Sequence, residues 1–511
     1  MKRIAAWLLS TALLLGLCTG CGGDEDPYVP TGNALSQGET TEPKQEATAM
    51  RYSLPFYPDR GQNPYQCADL NNKMVFALVY QGLFSVDRDG QVWPMLCESY
   101  QVSWDMKTYT LQLAEATFSD GTAVTAEDVK ASLLTARESS VYKGRFDHLN
   151  NITVTDDGKV QISLSTSYEN FPLLLDVPIV KESQVDAQSP LGTGPYVLET
   201  WGENLGLRRS ARWWCDADIP VQAEQISLLK AESPVQLRDT FEFSDLSMVG
   251  ADPGNENYAD FHSDYELWDV DSSIFLYLAC NDKSTVFSNG DMRKALTYSI
   301  DREKLSETYY RGFGEATVLP TPRNSPFYSV ALARGISYDP SQMKQALENH
   351  TRFQGAAVTL LVNSNDSVRV RVARDIAQSL TEAGLKVATS ELSGDEYKTA
   401  LSKGEFDLHL GQTKLSATMD LSAFFDPKGA LSYGGLEDAM LYALCLETLA
   451  NRGNYNTLYQ KILEDGQLCP ILFRKYAIFT QRGSFPTLEP ARDNVFFYHR
   501  ERTDEEARVE E

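Results

Sequence analysis

Between Val79 and Ala136 the chain reads VYQGLFSVDRDGQVWPMLCESYQVSWDMKTYTLQLAEATFSDGTAVTAEDVKASLLTA, and no other stretch restricts the fold as much. Asp89-Gly90 and Ser119-Asp120-Gly121 are turn signals, because glycine adopts the positive φ that tight turns demand. Between them Tyr109, Leu111 and Leu113 alternate with Thr108, Thr110 and Gln112, the period of a half-buried strand. Thr125 stands three residues before Asp128. Its hydroxyl can therefore accept free N–H groups of a first helical turn, while Glu127 and Asp128 suit the positive end of the dipole. Val129, Leu133 and Ala136 follow at helical spacing. The pattern predicts three short β segments feeding one capped helix.

A chain of 511 residues has room for two or three cores. Its formal net charge of -25 leaves no basic surplus to displace counterions from a phosphate backbone, which argues against nucleic-acid binding. Lys2 and Arg3 precede an apolar run from Ile4 to Leu17, short for a membrane span and of the size of a secretion signal. The run closes on Cys18-Thr19-Gly20-Cys21, which resembles a bacterial lipobox. Cys21, preceded by Thr19-Gly20, is the expected lipidation site, although Cys18 stands where leucine is usual. Gly22 to about Met50 is too poor in apolar residues to bury a core and is expected to be a flexible spacer. The remaining cysteines, Cys67, Cys97, Cys215, Cys280, Cys445 and Cys469, show no paired spacing and are expected to be buried thiols rather than a disulfide framework.

Further along, ITVTDDGKVQISLS predicts a hairpin around Asp157-Gly158. LWDVDSSIFLYLACN predicts a strand that crosses between lobes. Asp291 is the expected N-cap of the next helix, Asp301 opens a second, and Gly312 stops it. YDPSQMKQALEN predicts a Pro-initiated helix, and AAVTLLVN a buried parallel strand. Alternating helices and strands through FDLHL give an α/β layer. LCPILFRKYAIFT is the expected return strand, and RTDEEARVEE a frayed tail.

VYQGLFSVDRDGQVWPML, SYQVSWDMKTYTLQL, FSDGTAVTAEDVKASL, Gly192-Thr193-Gly194-Pro195-Tyr196 and MRKALTYSIDREKL together resemble extracellular solute-binding protein family 5, the oligopeptide-, dipeptide- and nickel-binding receptors of ABC importers. The Asn63-Pro64 pair is similar to the family's opening loop. The resemblance runs from about Arg51 to Thr480. It implies an α/β, two-lobed periplasmic-binding-protein-like fold of type II, in the large peptide-binding class, with an extra β-rich subdomain in lobe one. The expected division is a signal peptide at 1–21, a linker at 22–50, and lobe one at 51–270 with its subdomain at 85–190. Lobe two follows at 271–467, a return to lobe one at 468–500, and an acidic tail at 501–511.

The resemblance further implies a lipid-anchored extracytoplasmic monomer that captures a peptide or similar small solute and delivers it to ABC permease subunits, without a cofactor. No G-x-S-x-G, H-E-x-x-H or Walker lysine loop points to an enzyme. The five histidines are scattered, which gives no metal-ligand spacing. Other readings remain: a same-fold receptor for a signalling or pheromone peptide, a hydrolase on this scaffold, or a receptor for a nickel chelate or sugar. Permease and ATPase genes beside this one, turnover of the bound solute, and the identity of a co-purified ligand would separate them.

Candidate site residues cluster in GQTKLSATMDLSAFFDPKGALSYGG, after the strand FDLHL, where strand ends face a crevice. In peptide-binding relatives this loop carries Gly-Trp and then an Asp for the peptide's ammonium. Here Gln412 replaces the Trp, and the aligned Asp position is Ala417. Asp420 either takes over the cation or caps a helix starting at Leu421. Trp201, Tyr277 and Asn281 lie near expected lobe junctions, where they line a ligand cleft or pack a core.

Overall fold

The computed structural model describes residues 52–500, apart from positions 263 and 487. The signal segment, the expected lipidation site Cys21, the linker and the acidic tail lie outside the described residues.

The opening stretch folds largely as its pattern demands. Thr125 and Asp128 form a reciprocal capping box at the start of helix Ala126–Glu138. The strand Thr108–Leu113 buries Tyr109 and Leu111 in the same core as Val129 and Leu133 of that helix, while its threonines stay half exposed. The count of strands differs from expectation. Four, not three, precede the helix: Phe84–Val86, Val92–Pro94, Cys97–Val102 and Thr108–Leu113. The first pair is a short hairpin, with Gly90 at φ 77 in its turn. The last two join Val160–Leu164 and Leu149–Val154 in an antiparallel four-stranded layer. That layer is the β-rich subdomain.

A second four-stranded sheet orders Tyr52–Pro55, Gln225–Leu229, Asn204–Arg209 and Tyr196–Trp201. The helix Leu70–Val79, capped by Asp69, lies beside it. Gly192 and Gly194 explain the Gly-Thr-Gly-Pro-Tyr segment. A Cβ at Gly192 would stand 2.0 Å from the Val79 carbonyl oxygen, and one at Gly194 2.6 Å from that of Leu78. Only glycine lets the chain press this closely on the end of that helix.

The third sheet has seven strands and contains the two longest in the molecule, Tyr265–Cys280 and Leu468–Gln481. These two pair antiparallel from Tyr265 opposite Gln481 to Ala279 opposite Leu468, with a bulge between Asp271 and Phe275 where Ser273 sits at φ 57. At one end they pack on the first lobe, whose core unites the subdomain, the helix Leu70–Val79 and the second sheet. At the other end they enter lobe two. There Leu408–Lys414, Ala357–Asn363 and Lys386–Leu392 extend the sheet, the last three mutually parallel. Separate cores cover the two faces of this half: one under helices Gly290–Ser299, Ser341–Asn349 and Ser367–Glu382, the other under Ala439–Ala450 and Tyr455–Asp465. The result is the two-lobed α/β architecture expected from the resemblance.

One helix start is corrected. The N-cap of Gly290–Ser299 is Asn289, whose side chain accepts from the Asp291 and Met292 amides, while Asp291 lies within the first turn. Both residue types cap well. The backbone settles the choice by turning extended at Asn289. Asp301 caps the next helix as expected, accepting from the Lys304 amide. The six cysteines among the described residues are all buried and free.

After the second crossing strand the chain does not stop. Residues 488–500 form a strap across lobe one. Ala491 and Val495 are buried, the Asp493 amide donates to the Asp271 carbonyl at 3.0 Å, and the Tyr498 hydroxyl donates to Ala77 at 3.2 Å.

Candidate functional site

Polar side chains from both lobes converge where the crossing strands pass between the cores. Arg474 lies on the second crossing strand. Its Nη2 donates to Asp252 at 2.5 Å and its Nη1 to Gln412 Oε1 at 3.1 Å. Asp252 follows the strand Met248–Ala251 of the first half, whereas Gln412 belongs to the lobe-two strand Leu408–Lys414. One guanidinium thus ties the two halves of the seam. Burial pulls the Arg474 pKa down, but the Asp252 carboxylate more than restores it and the net shift is upward. Its Nε is buried without an acceptor. An unsatisfied, charged donor of this kind is costly unless something completes it.

Beyond Arg474 the seam continues through Tyr476 to the strap. Lys414, at the end of its strand, pairs with Asp493 at 2.8 Å. Arg145 of the subdomain pairs with Asp176 and donates to the Leu174 carbonyl at 3.0 Å. On the far side of Arg474, Asp366 caps the helix Ser367–Glu382 through the Arg369 amide, and Ser367 donates to Glu256 of the first half. The helix N-terminus therefore faces the seam.

Asp420 departs from the capping expectation, since the short helix starts at Ser422 with Leu421 in the N-cap position, and its carboxylate is engaged within the protein. Its Oδ1 accepts from the Ser422 amide at 2.8 Å, ahead of the short helix Ser422–Phe425, and its Oδ2 lies 3.1 Å from His148 Nε2 of the subdomain. Burial raises the Asp420 pKa, but the hydrogen bond and charge of His148 outweigh it and hold the carboxyl below its usual value. For His148, burial lowers the pKa, and the bond to Asp420 overcomes this to leave it raised. The neighbouring Thr418 Oγ1 lies 2.6 Å from the Tyr168 hydroxyl, and its carbonyl accepts from Tyr455. The loop after Lys414 is therefore latched to the subdomain by two side-chain contacts.

The other expected residues do not join this seam. Tyr277 is buried in the lobe-two core, stacked on Phe275 at 5.4 Å and edge-on to Phe424. It alternates to the face opposite Gln412, because it pairs with Gly411 in register. Asn281 is buried and donates to the carbonyls of Gly404 and Phe406 at 2.9 and 2.7 Å, tying strand ends together. Trp201 ends the strand Tyr196–Trp201 and covers Gly206, on the hairpin remote from these contacts. Sequence reading missed Arg474, Asp252 and Arg145. The available signal for Arg474 was a basic residue set within an apolar segment, CPILFRKYAIF.

A family model described as bacterial extracellular solute-binding proteins, family 5 Middle, matches residues 91–432. The glutathione-binding protein GsiB of Escherichia coli K12 is 27% identical over 361 residues, covering 65% of this chain and 68% of the relative. The structure of AgaA from A. tumefaciens R10 with agropinic acid superposes with a TM-score of 0.62 at 22% identity, over 86% of this chain and 94% of that one. The oligopeptide-binding protein AppA of Bacillus subtilis, solved with a nonapeptide, gives 0.61 at 19% identity, over 89% and 98%.

Proposed function

The chain belongs to the bacterial extracellular solute-binding proteins, family 5, substrate-binding proteins of ABC importers, and from that premise we propose that it captures an oligopeptide or similar small solute between its lobes and hands it to a permease. The observation that carries this reading is the Asp252–Arg474–Gln412 bridge, a charged group with an unfilled donor at the meeting of both lobes. Solute contacting both halves would bias the closed state, and that state is the one a permease recognises. GsiB and AppA are described as binding glutathione and a nonapeptide, which favours a peptide-like solute here.

The lobe limits proposed are 51–270 with a subdomain at 85–190, then 271–467, with 468–500 returning to lobe one. Lipidation at Cys21 holds the proposed monomer at the outer face of the cell membrane. Gln412 and Asp420 are the proposed solute-facing residues of lobe two, and Trp201, Tyr277 and Asn281 serve the site through packing rather than contact.

Mass spectrometry of small molecules released from the purified protein tests the reading, followed by calorimetry with the solute found. Arg474→Met should weaken that solute roughly ten- to hundredfold, as loss of a buried charged contact does. A wild-type protein that binds no solute saturably, and whose scattering profile never changes, would defeat the proposal.

A further inference from the structure

Away from the seam, the outer face of the second four-stranded sheet carries one aromatic ring among polar side chains. Residues opposite one another in a ladder share a face. Trp201 pairs with Asn204, Gly206 with Ser227, and Ser227 with Ser53. These residues stand together on the side turned away from Leu54, Leu207 and Ile226 of the lobe-one core. A Cβ on Gly206 would meet three atoms of the six-membered ring of Trp201 at 2.1, 2.4 and 2.5 Å. Such near-equal distances put that position over the ring rather than beside its edge. The indole therefore lies face-down on the strand, where only glycine leaves it room. The side chain is half-buried, with its other face turned outward. Its indole N–H donates to Glu199 at 3.4 Å, and the Nε of Arg208 donates to the two oxygens of that carboxylate at 3.0 and 2.9 Å. The ring is held as a platform.

Asn204, the ladder partner of Trp201, lines a groove of about 840 Å³, a volume inside the range of roughly 300–1,000 Å³ that small-molecule sites occupy. Ser53 and Ser227 line it from the sheet, and Gln236 and Thr240 from the helix Pro234–Glu242. The Asn204 amide and the Ser227 hydroxyl make no hydrogen bond among the described residues. Gln236 accepts the Glu232 amide through Oε1 at 2.5 Å, while its NH₂ donates to nothing there. Positive charge is already spent. Lys230 lies 3.6 Å from both Asp59 and Glu232, and the other charged lining residues, Glu203 and Asp245, are carboxylates. A surface of this kind repels an anion. Arg208, on the same face as the indole, denies the ring to an ammonium.

What remains is a ligand without charge, with one flat apolar side and hydroxyls around its edge. A pyranose ring has that form: its C–H face packs on an aromatic ring, and its hydroxyls reach amides and other hydroxyls. We propose that this groove binds a neutral saccharide, with one ring stacked on Trp201 and its hydroxyls bonded to Asn204, Ser227 and Gln236. The site lies outside the seam between the lobes and does not rest on solute capture there. The saccharide is a free oligosaccharide or a stretch of an insoluble glycan.

Calorimetry on the full protein with chitotriose, maltotriose and cellotriose tests the site, with trigalacturonate and choline as charged controls. At least one neutral trisaccharide should bind, and both controls should bind about tenfold more weakly or not at all. Trp201→Ala should weaken that sugar by about tenfold or more. Gly206→Ala keeps the indole but forces it off the strand, and should lose affinity as well. Asn204 is exposed, so Asn204→Ala should cost about three- to tenfold in affinity at an unchanged melting temperature, which separates a lost contact from a lost fold. Co-sedimentation with chitin, starch granules or cellulose assigns the source: retention on the particles means an insoluble glycan, and trisaccharide binding without retention means a free oligosaccharide. Failure of every trisaccharide and every particle to bind overturns the inference, as does binding that Trp201→Ala and Asn204→Ala leave unaltered. Trigalacturonate or choline bound as tightly as the best trisaccharide overturns the neutral class. Sugar binding that Arg474→Met abolishes and Trp201→Ala spares belongs to the seam and overturns the groove as its site.

Discussion

The contact between His148 and Asp420 should make the loop 416–426 looser as pH rises. Nε2 and Oδ2 lie 3.1 Å apart, and each side chain is 14% exposed, so solvent screens the pair little. A charge-assisted hydrogen bond at such burial contributes about 1.5–3 kcal/mol, a ten- to hundredfold change in the latched population. His148 is raised above the ordinary 6.5: burial lowers it, but Asp420, then Asp147 and Asp426, raise it further. A raised cation contributes fully below the ordinary value and loses its contribution as pH climbs through the raised one. Asp420 is depressed below 3.8, so its own share persists above that value and disappears only as pH falls through the depressed one. The latch is therefore tightest between about pH 4 and 6.5.

Amide hydrogen exchange reads this directly, because the Ser422 amide donates to Asp420 Oδ1 at 2.8 Å. After correction for intrinsic rates, exchange over 416–426 should rise about tenfold between weakly acid and weakly alkaline buffer in wild type. In His148→Ala the loop should be loose at both, with no pH dependence left. Wild-type protection that is identical in both buffers, or a His148→Ala protein as protected as wild type, would refute the latch.

Three further outcomes follow from the packing. Asn281→Ala removes bonds to Gly404, Phe406 and the Lys283 amide; thermal unfolding should show a loss of about 2–3 kcal/mol, with solute affinity unaltered. Gly411→Ala places a methyl 2.3 Å from the Tyr277 ring and should cost about 1–3 kcal/mol through overpacking. Combined with Tyr277→Ala, the denaturant-measured loss should fall at least about 1 kcal/mol short of the sum of the single losses. Thr125→Ala breaks the capping box and should lower the urea midpoint by an amount worth about 1 kcal/mol with no change in slope.

Local rules made much of the fold legible. Thr125 and Asp128 cap a helix through neighbours three residues apart, and alternation at Tyr109 and Leu111 needs only the strand's own period. The family resemblance supplied the order of the lobes. Asn289 escaped notice because Asp291, two residues on, is an equally good cap by type, and only the backbone turn distinguishes them. The site was far less visible. Gln412 was found from the strand end that carries it, but its partner Arg474 sits in a segment whose pattern says only that it is a buried strand. Tyr277 and Asn281 were expected at lobe junctions, yet strand parity turns Tyr277 into the lobe-two core and three backbone partners occupy Asn281. Lys414 and Asp493 lie far apart in the chain, and nothing local reveals that they pair.

The strap has a consequence for biogenesis. A chain made amino end first presents the helix Leu70–Val79 hundreds of residues ahead of the strap. Until residues 488–500 cross lobe one, the Asp271 carbonyl lacks the Asp493 amide and the Ala77 carbonyl lacks the Tyr498 hydroxyl. Closure of lobe one is thus among the last folding steps, and a fusion appended near Arg500 would disturb that step before the rest of the fold.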